Sequence, residues 1–242
     1  MITSAANPRL KLVRRLRSRR QRERLGLFVC EGEDLVRAAL EAGIEPVEVL
    51  VDGERPPAVD GLTAAEEVEP RLLAEVSVLG HPPRVLGIFR SADLPRVQAG
   101  STRPVGLALW HVVDPGNVGT LLRAADGLGP AFLALSTGCA DPTGAKALRA
   151  SAGAVFRVPT AAFEDAPRPW IALLSRGGTP LPQLELRGRA TFVLGAEREG
   201  LPDEVIARTD EAASIPLAET AESLNVGVAG ALALYEWVRR RP

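Results

Sequence analysis

The sequence predicts an α/β protein in which a larger, parallel and helix-covered sheet follows a smaller α/β unit. Short apolar runs typical of buried strands alternate with segments of helical periodicity along almost the whole chain. The alternation is interrupted once, by a stretch rich in proline, glycine and charge whose end, residues 98–104, is the predicted linker. We therefore expect an N-terminal arm at residues 1–24, a small α/β domain at residues 25–98 and a larger α/β domain at residues 104–242.

Composition places the chain among ordinary globular proteins. Of its 242 residues, 46% are hydrophobic and 24% are charged, and the formal net charge is −1. Cys30 and Cys139 are far apart and only two histidines are present, so no metal-ligand cluster is expected. No apolar run reaches the roughly 18 residues of a membrane span. We expect a cytoplasmic protein with no membrane or metal partner.

The arm carries the strongest charge asymmetry. Residues 9–24 contain nine arginine or lysine residues and one acid. Such a block is typical of a nucleic-acid or membrane-surface contact, although a solvated helix gives the same pattern. The preference for arginine favours phosphate, which a planar guanidinium grips with two hydrogen bonds. Leu10, Val13 and Leu16 are spaced to dock one helical face while the arginines point outward.

The remaining elements follow in order. In the small domain the pattern predicts strands at 28–30, 47–51 and 85–89, and helices at 34–42 and 66–74. In the larger domain it predicts strands at 105–113, 131–135, 154–158, 169–174, 191–194 and 213–215, and helices at 118–128, 142–151, 203–208 and 223–240.

The last helix has unusual features for a core helix. Ser223 occupies the position of an N-cap. Gly227 and Gly230 each cost about 1 kcal/mol relative to alanine in a helix, so their presence indicates the close approach of another backbone. One helical face is predicted to be buried by the apolar residues Leu224, Val228, Ala231, Leu232, Tyr235 and Val238.

Three loops follow predicted strands and can carry chemistry. The first, residues 114–120, opens a helix, where free backbone N–H groups favour an anionic ligand. Asn117 is either the N-cap of that helix or a ligand-binding residue. The spacing Gly116-x-x-Gly119 is neither a dinucleotide fingerprint nor a phosphate-binding P-loop. Arg123 lies opposite the predicted buried stripe, where it is either an ordinary exposed arginine or an anion grip. The stripe itself is Val118, Leu121, Leu122 and Ala125.

The second loop, residues 195–202, places Glu197 just beyond the carboxyl end of a strand, where open α/β sheets bind ligands. Gly195 permits a close backbone approach. Glu197 and Glu199 also suit a solvated turn, Glu199 more so. The third loop, residues 215–225, brings Ser223 and Asn225 to a helix start.

Together these loops offer no cysteine nucleophile and no histidine base. His81 precedes two prolines and His111 lies inside a predicted strand, so both favour structural roles. Such a site suits a reagent that is already activated, which the protein holds in line with its target. Positioning of this kind lowers a barrier by as much as ~7–11 kcal/mol.

The three loops resemble, in order and spacing, the three motifs of the SpoU (TrmH-like) group of RNA ribose 2′-O-methyltransferases of the SPOUT superfamily. The matching segments are DPGNVGTLLRAADGLG, FVLGAEREGLP and IPLAETAESLNVGVAGALALYE. The likeness covers roughly residues 104–240, and residues 25–90 resemble the small substrate-binding domain of ribosomal-RNA members. It implies a parallel-sheet SPOUT domain whose C-terminal segment threads a deep trefoil knot.

The resemblance also implies S-adenosylmethionine as the methyl donor and a homodimer whose site draws on both chains. The glycines of the last helix then suit close packing at a dimer interface. By position, the donor would contact Gly195, Ile215 and Leu224, largely through backbone, with Leu194 and Leu217 nearby.

For catalysis, the positions that match the family's functional residues are Asn117, Arg123, Glu197, Ser223 and Asn225. Arg123 is expected at the target ribose and its phosphate, either as general base or as a stabiliser of the forming alkoxide. Thr120 departs from the pattern, where a small alanine is usual.

The function expected from the resemblance is methylation of a ribose 2′-hydroxyl in structured RNA, with 23S ribosomal RNA as the first expectation. A transfer-RNA substrate and a non-catalytic RNA-binding module remain alternatives, as does a methyltransferase that protects the ribosome from an antibiotic. The missing phosphate fingerprint disfavours a nucleotide-dependent enzyme of another class.

Overall fold

The computed structural model describes residues 1–62, 64–98, 103–186 and 188–240. Residues 99–102 of the predicted linker lie outside this part. None of the helices in the described ranges combines the length and apolarity needed to cross a lipid bilayer.

The small N-terminal sheet has four strands in the order β1-β4-β2-β3. Its strands are β1 Leu27–Glu31, β2 Glu48–Asp52, β3 Glu66–Val68 and β4 Val85–Arg90, and its helices are α3 Glu33–Glu41 and α4 Pro70–Val76. β4 runs antiparallel to β1 and β2, whereas β3 runs parallel to β2. The prediction of one helix over 66–74 is wrong for its first half. Val68 is fully buried in the added strand β3, and the helix begins only at Pro70, whose fixed φ suits a first helical position.

The arm is two short helices, α1 Pro8–Leu16 and α2 Arg19–Leu25. Leu10, Val13 and Leu16 are buried against the small sheet, which confirms the predicted docking face. The prediction that the arginines point outward is wrong for Arg22. That side chain is buried, and its Nη2 lies 2.6 Å from Oδ2 of Asp141.

The larger sheet has seven strands, all parallel, in the order β7-β6-β5-β10-β8-β11-β9. Its strands are β5 Val105–Leu109, β6 Ala131–Leu135, β7 Thr160–Ala162, β8 Trp170–Leu174, β9 Thr179–Pro180, β10 Ala190–Leu194 and β11 Glu211–Ser214. The accompanying helices are α5 Pro115–Gly127, α6 Ala145–Ser151, α7 Asp203–Ile206 and α8 Val226–Arg239. The predicted parallel, helix-covered sheet is confirmed.

Two predicted strands differ from the observed ones by more than two residues. Residues 154–156 form a 3₁₀ turn rather than part of a strand, and the strand β7 starts later, at Thr160. β5 ends at Leu109, four residues before the predicted end at residue 113. His111 therefore lies in the loop after the strand and not inside it.

The two sheets share one apolar core. The rings of Phe28 and Phe89, from the small sheet, stack 5.9 Å apart, and both contact Phe156 at centroid distances of 6.4 and 6.0 Å. All three side chains belong to the same buried cluster. This packing explains why residues 154–158 are apolar without being a strand, since they join the two units.

Candidate active site

The loops after β5, β10 and β11 meet at one edge of the larger sheet. Since all its strands are parallel, their carboxyl ends lie together, and this is the edge where open α/β sheets bind ligands.

The loop after β5 is organised by Asp114, which caps helix α5. Its Oδ1 accepts hydrogen bonds from the backbone N–H of Gly116, at 2.6 Å, and of Asn117, at 3.1 Å. Nζ of Lys146 lies 2.8 Å from its Oδ2. This hydrogen bond from Lys146, helped by those from the backbone, lowers the pKa of Asp114. The N-cap interpretation of Asn117 is therefore wrong, because Asp114 already satisfies the helix start.

Because Asn117 does not cap the helix, its side chain can take part in a short chain of hydrogen-bonded polar side chains. Nδ2 of Asn225 donates to Oδ1 of Asn117 at 3.1 Å, and Nδ2 of Asn117 donates to Oε1 of Glu197. This chain links the loops after β5, β10 and β11. Three of the five predicted catalytic residues thus lie in direct contact, although they are up to 108 positions apart in sequence.

Beside this chain lies a cleft of about 520 Å³. It is bordered by the loops after β8, β10 and β11 and by the start of α8. All five residues predicted to contact a cofactor line it, together with Glu197 and Ser223. The five are Leu194, Gly195, Ile215, Leu217 and Leu224.

Gly195 is required by its own loop. A β-carbon at this position would overlap the backbone of Gly200 and Leu201. The chain turns back on itself here, since the N–H of Gly200 donates to the carbonyl of Ala196 at 2.9 Å. The close approach seen here is that of the chain's own backbone, and it keeps residues 195–201 folded tightly at the cleft wall.

Arg123 stands apart from this group within its own chain. Its side chain is exposed on α5, opposite the predicted buried stripe, all four residues of which are indeed buried. Arg123 does not line the cleft. The structure gives it no hydrogen bond or ion pair with the described residues.

The start of α8 differs from the prediction. The helix begins at Val226, and its N-cap is Asn225, whose Oδ1 accepts from the N–H groups of Gly227 and Val228 at 2.9 and 3.3 Å. The prediction of Ser223 as N-cap is therefore wrong, because Asn225 sits one residue before the first helical turn. Ser223 lies in the loop before the helix and lines the cleft.

The buried face of α8 is also the opposite of the predicted one. Its buried residues include Val226, Gly230, Ala233, Leu234 and Trp237. Three members of the predicted face are exposed, namely Val228, Leu232 and Tyr235.

The two glycines of α8 face side chains of the same protein rather than another backbone. A β-carbon on Gly230 would overlap the side chain of Leu121, and one on Gly227 would lie 3.2 Å from Cγ2 of Thr120. Both neighbours belong to α5. The glycines therefore let α8 pack closely onto α5 inside one chain.

Sequence reasoning passed over two residues at this edge. Asp114 carries a visible signal, since an aspartate directly before a proline is a typical helix start. The second is His111, which only the structure makes conspicuous. It is exposed and has a φ of +52°, in the left-handed region that residues with a β-carbon rarely adopt.

Comparison with known proteins agrees with this architecture. The profile of the SpoU rRNA Methylase family matches residues 104–235, and that of an MRM3-like substrate binding domain matches residues 7–87. The 23S rRNA (guanosine(2553)-2′-O)-methyltransferase RlmP of Bacillus subtilis is 28% identical over 246 residues, which cover 97% of each chain.

Solved structures give the same result. An AdoMet-bound rRNA methyltransferase from Sinorhizobium meliloti superposes with a TM-score of 0.83 at 28% identity, covering 98% of this chain and 97% of that one. A TrmH-family putative RNA methyltransferase from Porphyromonas gingivalis gives 0.84 at 30% identity, with full coverage of both chains. With its methylase profile matched over more than half of its length, the chain belongs to the SpoU rRNA methylase family.

Proposed function

We propose that this protein transfers the methyl group of S-adenosylmethionine to a ribose 2′-hydroxyl of 23S ribosomal RNA. The observation that carries the proposal is the convergence of five predicted cofactor residues on one cleft, with the Asn225–Asn117–Glu197 chain beside it. The relative RlmP is named for this reaction on 23S rRNA, and the Sinorhizobium relative was solved with AdoMet bound. We infer from this proposed substrate that the protein works in the cytoplasm.

The cleft suits this donor in size and chemistry. Its volume of about 520 Å³ is in the usual range for small-molecule sites. Leu194, Ile215 and Leu224 offer an apolar surface for an adenine ring. Glu197 and Ser223 offer polar groups to a sugar and an amino-acid moiety. S-adenosylmethionine supplies a methyl group that is already activated, so the protein has no reagent to activate.

The chain's own residues then hold the target. We propose that Asn117, fixed by Glu197 on one side and Asn225 on the other, orients the ribose, and that Ser223 helps to place the donor. Arg123 binds the phosphate beside the ribose and stabilises the negative charge that forms on the 2′-oxygen. We assign it this role rather than that of a base, because arginine keeps its proton in proteins.

Three finer features belong to the same proposal. The domain boundaries stay at residues 1–24, 25–98 and 104–242, supported by two sheets that fall wholly within residues 27–90 and 105–214. A trefoil knot at the C-terminal end is supported by the insertion of β10 between β5 and β8, followed by the return of α8 over β5 and β10. A homodimer is supported by the exposed apolar residues on α8.

The proposal predicts that the variant Arg123→Ala loses methyl transfer but keeps donor binding. Methyl transfer to 23S ribosomal RNA should be lost, because the phosphate and the forming oxyanion lose their cation. Donor binding should be retained, because Arg123 does not line the cleft. Calorimetry with S-adenosylmethionine and mass-spectrometric mapping of 2′-O-methylation, in 23S ribosomal RNA and transfer RNA, measure the two effects.

The matched control is Arg149→Gln, which removes a charge from the neighbouring helix α6. Its transfer rate should stay at the wild-type level. If the protein methylates transfer RNA and not 23S ribosomal RNA, transfer RNA is the substrate and the proposed substrate is wrong. A wild-type protein that binds RNA but takes up no donor would favour the non-catalytic module instead.

A further inference from the structure

A second concave surface lies along the same sheet edge as the cleft. This interdomain groove, of about 480 Å³, runs between helix α2 and the ends of β6 and β7. Its polar lining includes Arg19, Arg22, Arg96, Ser136, Thr137 and Thr160. Helix α2 lies in the part of the chain that matches the substrate-binding profile, whereas β6 and β7 lie in the part that matches the methylase profile. The groove is therefore the place where the two matched units meet.

Charge in the groove favours an anion, since three arginines but only two carboxylates line it. Arg22 is neutralised by Asp141, and Arg19 lies 2.8 Å from Oε1 of Glu23. Arg96 is exposed and donates from Nη1 to the hydroxyl of Thr160 at 3.1 Å, with no ion pair to any residue of the described ranges. Its guanidinium is thus held against the groove wall and keeps further N–H donors for a phosphate.

Free cations of the arm flank the groove. Arg20 and Arg24 are exposed on α2, and each directly follows a residue that lines the groove, namely Arg19 and Glu23. A nucleic-acid strand bound at Arg96 would therefore also pass near these two charges. A polyanion gains from every cation along its path, whereas a small free anion gains from one site only. This arrangement favours a strand as the occupant.

The order of the strands sets the distance between the groove and the target site. The loop after β5 carries Asn117, β6 is the neighbour of β5, and β7 is the neighbour of β6. Adjacent strands lie about 4.8 Å apart, so the groove begins about 5–10 Å along the edge from that loop. A nucleic-acid strand advances ~3.4 Å per stacked nucleotide, so this distance corresponds to about two or three nucleotides.

We propose that the interdomain groove binds the RNA strand beside the target nucleotide, with Arg96 on a phosphate about two or three nucleotides from the methylated ribose. This inference rests on the proposed function and adds a contact that neither profile covers, because Arg96 lies between the two matched segments. Arg96 does not line the donor cleft. Its loss should therefore weaken RNA binding and leave the methyl-transfer step unchanged.

The first test measures RNA binding by the full-length protein without the donor. Affinity for transcribed 23S ribosomal RNA is determined by filter binding at several salt concentrations. Each phosphate contact contributes about 0.7–0.9 to the slope of log K against log salt concentration, so Arg96→Gln should lower the slope by about that amount. Arg96→Lys keeps the charge and should retain the wild-type slope.

Steady-state kinetics separate RNA binding from the chemical step. In Arg96→Gln the KM for the RNA should rise about tenfold or more, the usual effect of losing a hydrogen bond to a charged group. Its kcat, its Tm and its calorimetric affinity for S-adenosylmethionine should be unchanged. Ala162→Glu, which adds a carboxylate at an exposed position of the groove wall, should also raise KM.

The matched control is Arg189→Gln. This exposed arginine directly precedes β10 and therefore lies at the opposite edge of the parallel sheet. The variant loses the same charge as Arg96→Gln, yet its salt slope and its KM should stay at the wild-type values.

Phosphate ethylation tests the predicted distance. Ethylation of a phosphate about two or three nucleotides from the methylated ribose should weaken binding by the wild type. Arg96→Gln should tolerate the same ethylation, because the contact is already absent. Identical interference patterns for the two proteins would overturn the inference.

An unchanged slope and an unchanged KM in Arg96→Gln would also overturn it, and so would an equal loss in Arg189→Gln. A lower kcat with an unchanged slope would show that Arg96 acts on the structure of the site and not on RNA. If the wild type takes up no donor but its slope still depends on Arg96, the proposed function fails and the groove remains an RNA site. If the wild type methylates RNA and Arg96→Gln does so with an unchanged KM, only this inference fails.

Discussion

At the start of α8, Asn225 uses the two ends of its amide for different purposes. Oδ1 caps the helix by accepting from the N–H groups of Gly227 and Val228. Nδ2 donates to Asn117 and so holds the residue proposed to orient the ribose. The same side chain therefore contributes to stability and to the site, and a substitution can separate the two.

Asn225→Asp should keep the helix cap but lose the hydrogen bond to Asn117. A carboxylate still accepts from the helix N–H groups and is favoured at that end of the dipole, but it cannot donate to Asn117. We expect stability within about 0.5 kcal/mol of the wild type and methyl transfer about 100-fold slower, the usual effect of misplacing a positioned group. Thermal unfolding and initial rates on ribosomal RNA measure both quantities.

Asn225→Ala is the companion variant. It should lose a similar amount of activity and, in addition, about 1 kcal/mol of stability, because the cap is removed as well. Full activity in Asn225→Asp would show that the Asn117 contact has no part in positioning.

The polar residues at the helix starts show what the sequence could and could not predict. Asp114, Asn117, Ser223 and Asn225 are all good N-caps by residue type. Only the backbone decides between candidates that lie two or three positions apart. The Asn117–Glu197 contact spans 80 positions, and no local pattern encodes a pairing at that distance. The motif resemblance named three residues that the structure brings into contact, Asn117, Glu197 and Asn225, whereas local patterns offered Asn117 and Ser223 as N-caps, which they are not.

At the scale of elements, helix α5 packs closely against α6 at Gly119, which has no side chain. A β-carbon on Gly119 would overlap the carbonyl oxygen of Ala147 and lie 3.0 Å from the backbone nitrogen of Ser151. Both are backbone atoms of α6, which cannot move without shifting the whole helix. Gly119 therefore sets the distance between the two helices.

Gly119→Ala should destabilise the protein despite the better helix propensity of alanine. The propensity gain is about 1 kcal/mol, whereas forcing a methyl group into a packed interface typically costs about 1–3 kcal/mol. Gly127→Ala is the control in the same helix, where a β-carbon meets nothing within 4 Å. Chemical denaturation should show a loss for the first variant and no loss for the second. Equal stability of the two variants would mean that α6 adjusts freely.

The errors in predicting elements also have physical causes. Residues 66–68 show no strand pattern of their own, and β3 forms because β2 offers a free edge to pair with. Helix α8 is apolar on more than one face, so periodicity could not show which face is inside. The inner face turned out to be the one with glycine and alanine, because close packing onto α5 favours small residues.

The basic arm shows a similar limit. Composition indicated a cationic surface but not which charges are free. Contacts with the rest of the protein use Arg9, Arg14, Arg17, Arg19 and Arg22. Within the described part of the chain, the exposed cations of the arm that have neither an ion pair nor a hydrogen bond to a residue outside the arm are Lys11, Arg15, Arg20 and Arg24. We therefore expect the predicted phosphate contact at these four residues. Lys11 and Arg15 lie four positions apart on α1, and Arg20 and Arg24 lie four positions apart on α2.

At the scale of the whole molecule, the Arg22–Asp141 pair joins the arm to the larger sheet. The exposed fractions of the two side chains are only 9% and 14%. Burial alone would raise the pKa of Asp141, but hydrogen bonds from Thr143 and Arg22 outweigh it and lower the pKa. The carboxylate is thus held in its charged form across the boundary between the two units.

Asp141→Asn should lower the free energy of unfolding by about 2–4 kcal/mol at neutral pH, because it leaves Arg22 buried without its counter-charge. Since the folded-state pKa is lowered, the wild-type advantage is complete above the ordinary value of about 3.9 and is lost as the pH falls through the lowered value. Denaturant titrations at neutral and acidic pH should therefore show the two proteins converging below about pH 4. The control Glu164→Gln, which breaks an exposed ion pair with Arg208, should have no measurable effect. A constant difference at all pH values would contradict the assignment.

Arg123 leads to a prediction about the assembly of two chains, because it does not line the cleft of its own chain. On α8, Val228, Leu232 and Tyr235 form an exposed apolar stripe at helical spacing. A second copy of the chain docked there would cover the stripe, and we propose that it also brings Arg123 of one copy to the cleft of the other. Leu232→Lys should then yield monomers in sedimentation experiments, whereas Val47→Lys, at an exposed apolar residue of the small domain, should not.

Subunit mixing tests whether the site is shared. Arg123→Ala lacks the arginine, and Ile215→Asp would place a charge in the cleft, so each variant alone should be inactive. In a mixed dimer, one of the two sites combines an intact cleft with an intact arginine while the other has neither. Unfolding and refolding an equal mixture should restore about a quarter of the wild-type rate, since about half of the dimers are mixed and half of their sites are whole. If the mixture stays inactive although calorimetry shows donor uptake by Arg123→Ala and sedimentation shows dimers, each chain must use its own arginine, and the shared site is excluded.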